Sequence, residues 1–93
     1  MKKATYKIIT NQGLIAKDGY LFGYKGIAFG VCKQHSFDDY DQLWEVSELT
    51  SGRLFCGGVK RGGAIQRAKD LVDKLGVDTI NEEIKHKIEE TNL

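Results

Sequence analysis

Proline is missing from all 93 residues, while glycine occurs 11 times. Such a chain must turn at glycines with positive φ, as tight β-hairpins do, rather than at proline rings. Cysteine is nearly as scarce, and two residues are too few for a disulfide framework. They read as thiols of a reducing compartment. Net charge is almost absent as well, since 14 basic and 13 acidic side chains leave +1. General attraction to DNA or to an anionic membrane is therefore not built in, and binding of that kind needs a local patch. Long apolar runs are lacking too. The charges of Met1–Lys7 have no apolar stretch behind them, so no signal peptide is expected. Nothing approaches the ~18 consecutive apolar residues of a membrane span. A soluble, cytoplasmic or otherwise intracellular protein with no membrane partner is expected.

Hydrophobic residues make up 41% and charged residues 29%, a globular rather than a disordered balance. The length fits one domain with one modest core. Its fold class is predicted as α+β, an antiparallel meander of five to six short strands followed by two C-terminal helices. The first helix packs on one sheet face. The sheet is assigned to residues 1–59, the core helix to 62–76 and a second, partly exposed helix to 79–91.

Tyr6, Ile8 and Ile9 belong to an alternating run that ends at Asn11-Gln12-Gly13. Asp18-Gly19, between apolar runs, is the strongest short hairpin signal, and Lys25-Gly26 is a second two-residue turn. Trp44 and Val46 share one strand face. Thr50-Ser51-Gly52-Arg53 then turns the chain into a short strand at Leu54–Cys56. Further on, Ala64, Ile65, Ala68, Leu71, Val72 and Leu75 fall on one helical arc, a core-facing stripe. Gly76 is a natural stop. Thr79-Ile80-Asn81-Glu82 fits a capping box that opens the second helix. The apolar stripe of that helix is only Ile80, Ile84 and Ile88, so it packs along a thin seam or pairs two chains. A monomer and a homodimer through this stripe both stay open.

The joint Gly57-Gly58-Val59-Lys60-Arg61-Gly62-Gly63 stands out at the entry to the first helix. A helix N-terminus carries free amides and partial positive charge, usually quenched by Ser, Thr, Asp or Asn. Here no acid occurs from Val59 through Ala68, and Lys60 and Arg61 stand at the positive end. Adjacent glycines let an anion approach the backbone, so Lys60, Arg61, Gly62 and Gly63, with Arg67 further along the helix, form a candidate phosphate or nucleic-acid site. The plain alternative is a structural joint, because glycine is an acceptable cap and basic residues are common on exposed loops. The Walker A pattern fails, since Gly63-Ala64 stands where Lys-Ser/Thr is required.

Other clusters are thinner. Lys25–Val31 keeps the basic-Gly start of an RNA-binding strand but lacks its first aromatic, and core packing is the plainer reading. Tyr20, Phe22, Tyr24 and Phe29 lie on adjacent strands, either in the core or as an exposed aromatic patch. Asp38, Asp39 and Asp41 read as a solvated acidic loop able to meet a basic surface. Cys32, His35, Cys56 and His86 lack the paired spacing of a zinc site. No nucleophile–base–orienter set is present, so no catalytic residue, metal or cofactor is assigned.

The leading expectation is a small non-enzymatic module that binds a larger protein, through Tyr20, Phe22 and Tyr24 and the acidic Asp38, Asp39 and Asp41. A viral or mobile-element accessory protein that inhibits a host-defence protein by surface occupation fits this description. The alternative is a nucleotide or nucleic-acid binder, holding a phosphate-bearing ligand at Gly57–Gly63.

Overall fold

A computed structural model describes residues 1–33 and 43–91, and the side chains of all of these except Thr91. Five strands, β1 (Lys2–Thr10), β2 (Gly13–Tyr24), β3 (Ile27–Lys33), β4 (Trp44–Glu48) and β5 (Arg53–Gly58), precede two helices, α1 (Arg61–Leu75) and α2 (Val77–Thr91). The strands form one antiparallel sheet in the order β1-β2-β3-β4-β5, so the fold is an α+β meander with α1 packed on the sheet.

Lys25-Gly26 makes the β2–β3 turn, with φ of 51° and 82°, the pair of positive values that a tight hairpin turn needs. The predicted hairpin at Asp18-Gly19 does not form. The first turn lies instead at Asn11-Gln12, and β2 runs unbroken through Asp18 and Gly19. The Thr10 hydroxyl holds that turn, donating to the Gly13 carbonyl at 3.0 Å and accepting from the Gln12 amide at 3.2 Å. Gly19 is needed for a different reason: a Cβ there would lie 2.2 Å from the Val31 carbonyl oxygen. The strands approach at this point more closely than any side chain allows.

β3 is covered on both faces. Ile27, Phe29 and Val31 join Val46 of β4, Ala64, Ala68 and Val72 of α1, and Ile80 of α2 in the main core. On the other face Cys32 packs with Tyr6 and Ile8, because the β1–β2 hairpin curls across the sheet. The Ile9 amide then donates to the Gly52 carbonyl at 2.7 Å, tying β1 to the β4–β5 turn. That turn is held by Glu48, whose buried carboxylate accepts from the Thr50 amide (2.6 Å), the Ser51 amide (2.8 Å) and the Ser51 hydroxyl (2.6 Å).

The buried face of α1 is narrower than its sequence stripe. Ala64, Ala68 and Val72 are fully buried, whereas Leu75 is exposed. The predicted capping box at Thr79–Glu82 is not the start of α2. Gly76, at φ 86°, ends α1 and redirects the chain within one residue, and its carbonyl already accepts from the Ile80 amide at 3.1 Å. Thr79 therefore lies inside the helix.

α1 is also tied to the β2–β3 turn. Asp73 accepts from the Tyr24 hydroxyl at 2.9 Å and pairs with the Lys25 ammonium at 2.5 Å. The Lys25 hydrogen bond, with Tyr24 second, holds the Asp73 carboxyl below its ordinary value. Tyr24 and Lys25 are raised in turn, each first by its bond to Asp73. A depressed carboxyl stabilises the fold above its unfolded value of 3.8 and loses that contribution as pH falls through the folded value. The raised partners contribute below 10.0 and 10.5 and lose that as pH rises through their folded values. Asp73→Asn is therefore expected to lower the melting temperature by a constant amount between pH ~5 and ~9, with the gap closing at both extremes. A gap unchanged at pH ~2 would show that the tie contributes nothing of this kind.

Candidate functional site

β5 ends at Gly58, the chain bends at Val59 and Lys60, and α1 begins at Arg61. The glycines of this joint have separate tasks. A Cβ on Gly58 would stand 2.9 Å from the Ala64 amide nitrogen, so Gly58 lets the strand pass directly under the helix. Gly62 and Gly63 face open space, and no packing contact requires them to be glycine. Lys60 occupies the N-cap in extended conformation without a side-chain cap bond, and the first turn carries no acid. Its carbonyl accepts from the Ala64 amide at 2.9 Å, as in any helix.

The basic residues named from the sequence are not gathered around those amides. The Arg61 guanidinium lies over the Tyr20 ring at 4.7 Å and near Trp44 at 5.9 Å, so it covers the aromatic edge of the core. Lys60 is exposed, and Arg67 lines a groove together with Gly57, Gly58 and Val59, away from the first-turn amides. Tyr20, Phe22 and Tyr24 share the sheet face beneath α1 and pack half-buried against the main core. Phe22 stacks on Phe29 at 5.1 Å, and the Tyr24 ring also has Lys25 and Lys69 over it. Asp38, Asp39 and Asp41 lie outside the described residues, as does His35.

Of the two thiols, Cys32 is buried and Cys56 half-buried. Burial pushes Cys56 up, against a smaller opposite effect of Arg67, and its Sγ contacts the Ala64 carbonyl at 3.7 Å. Cys32 is buried beside Tyr6, whose hydroxyl is raised by burial first and by the Cys32 thiol next. Among the described residues no three His, Cys, Asp or Glu side chains converge on a common point. His86 pairs with Glu90 at 3.0 Å on exposed α2. Ile80 of the proposed dimer stripe is 3% exposed and belongs to the core, leaving Ile84 and Ile88 half-buried at the surface. Among the described residues no helix is long and apolar enough to cross a membrane.

Two grooves instead flank β5, and Phe55 lines both. One, of about 220 Å³, lies between β5 and α2, with Leu54, Leu75, Ile80 and Ile84 among its walls. The other, more open and about 480 Å³, is walled by Leu43, Val59 and Leu71 with Arg67. Leu54 is 60% and Val59 74% exposed, one near each end of β5 and each beside a different groove. Of these residues the sequence had marked Arg67 and Val59 for the anion site and Ile80 and Ile84 for the dimer stripe, but not Leu54, Phe55, Leu71 or Leu75 as part of a site. The available signal was that Leu54–Gly58 contains no charge.

No family model matches the chain, and no curated protein or solved structure proves similar to it. A functional argument therefore rests on these surfaces alone.

Proposed function

We propose that the protein is a non-enzymatic binding module that occupies a surface of a larger protein. The observation that carries this reading is the apolar surface around β5, where exposed Leu54 and Val59 border grooves floored by Phe55. Scattered exposed apolar residues need no explanation, but apolar grooves with a polar rim are a usual form of a protein-binding surface. Inhibition by covering a working surface, as an accessory protein of a virus or mobile element does to a host-defence protein, requires nothing more than such a patch. The tagged protein is expected to retain one stoichiometric partner from a relevant lysate. Leu54→Glu with Val59→Glu is expected to release it, while Asp78→Asn on exposed α2 is not. Retention by the double variant, with its fold intact, would move the binding surface elsewhere.

A second reading is supported by the uncapped start of α1, where Gly62 and Gly63 leave the first-turn amides open. It predicts amide shifts at Gly62 and Gly63 on titration with ATP or inorganic phosphate, lost on Lys60→Glu. Absence of shifts at those amides at low salt sets this reading aside.

A further inference from the structure

The two edges of the sheet differ. β1 displays exposed Lys2, Lys3 and Lys7, and its end is bonded back to the β4–β5 turn. Lysines on an edge strand discourage another strand from pairing there. β5 has no such protection across Leu54-Phe55-Cys56-Gly57-Gly58, which contains neither charge nor proline. Every second pair of backbone groups in an edge strand points away from its neighbour, and the backbone of 54–58 bonds to no described element besides β4. Gly57 and Gly58 add no side chain that could screen this stretch.

We propose that β5 takes up an extended segment of the partner protein as a sixth strand, and that the segment is apolar at alternate positions and acidic at the end that lies beside Lys60 and Arg67. This rests on the binding-module reading above and names how that surface is used. Strand addition takes affinity from main-chain hydrogen bonds and selectivity from pockets for alternate side chains. Both parts are present. The β5 backbone supplies the ladder, and the grooves on either side of Phe55 supply the pockets.

Charge defines one end of the segment. Lys60 stands just past the end of β5, and Arg67 lines the groove that also takes in Gly57, Gly58 and Val59. Among the described residues no acid lines that groove. Opposite charges at the rim choose the partner and its register.

The probe is a synthetic peptide with alternating valine and threonine and two glutamates at each end, beside a twin carrying lysine ends. Each is titrated into the intact ¹⁵N-labelled protein. The glutamate-ended peptide is expected to bind with a Kd of ~50 µM, shifting and protecting amides within residues 54–58, and the lysine-ended twin at least ~10-fold more weakly. Leu54→Glu, at an exposed position that leaves the core intact, should weaken the first peptide ~10-fold. Lys60→Glu with Arg67→Glu should bring the two peptides to similar affinity.

Silence of the β5 amides at ~1 mM of either peptide overturns the inference, as do shifts confined to other elements. Equal affinity of the two peptides for the unaltered protein overturns the acidic end. Protection of β5 that rises with protein concentration alone would assign the edge to a second copy. If Leu54→Glu with Val59→Glu releases the captured partner although neither peptide reaches β5, the binding surface stands and strand addition falls.

Discussion

Phe29→Ala is expected to cost about 3–5 kcal/mol, the largest loss from any single side chain in this protein. The ring is fully buried, stacked against Phe22 at 5.1 Å and tilted against Phe55 at 5.0 Å. Truncation removes its burial and leaves a void between three strands that α1 is too closely packed to fill. Domains of this size are commonly stable by about 5–15 kcal/mol, so the variant should melt tens of degrees lower or remain unfolded at 37 °C. Phe29→Leu keeps most of the volume and should lose about half as much or less. Chemical denaturation of both variants separates the cases, and a loss below ~1 kcal/mol for Phe29→Ala would show that the central ring is not packed as described. Binding should follow packing, because Phe55 lies at the floor of both grooves and rests on Phe29. The leucine variant is expected to hold the partner and the alanine variant to release it, even where some folded protein survives.

The features legible in the sequence are those set by local geometry. Lys25-Gly26 announces its turn because both positions need positive φ, and Gly76 announces the helix end in the same way. Alternation places Tyr20, Phe22 and Tyr24 on one face without the structure. It does not reveal which face the helix covers, and the covered face turns out to be theirs. The Gly57–Gly63 joint drew notice for its composition, yet its glycines are there for different reasons. Gly58 answers to Ala64, six residues away, whereas Gly62 and Gly63 answer to nothing in the fold. The surface around β5 was hidden for a similar reason. Leu54 and Phe55 lie on β5, Leu71 and Leu75 on α1 and Ile84 on α2, and only the packing of the helices beside the strand brings these side chains to the walls of the two grooves. The absence of charge from Leu54–Gly58 gains meaning once β5 is known to be an edge.

Gly19→Ala tests the point at which local reasoning gave the wrong turn. An Asp-Gly pair between apolar runs favours a hairpin, so a glycine there would tolerate alanine only at the cost of an unfavourable φ. In the observed strand Gly19 has no left-handed φ, and its constraint is steric. The added Cβ would lie 2.2 Å from the Val31 carbonyl oxygen and 3.0 Å from the Cys32 Cβ. A flexible side chain could swing away from such a contact, but a backbone carbonyl in the middle of β3 cannot. The ladder between β2 and β3 must open, and with it the seat of Tyr6 and Ile8 on Cys32. The expected loss is about 3 kcal/mol or more, at the upper end for one added methyl group. Asp18→Ala serves as the control. It removes only an exposed bond from the Thr5 hydroxyl, 2.7 Å long, and should cost about 1 kcal/mol or less. If the chain turned at Asp18-Gly19 the order would tend to reverse, with Asp18 supporting the turn and Gly19→Ala bearing only a φ penalty of about 1 kcal/mol. Hydrogen exchange adds a second readout. Gly19→Ala should speed exchange in β2 and β3 more than in α2, because the clash lies between those two strands.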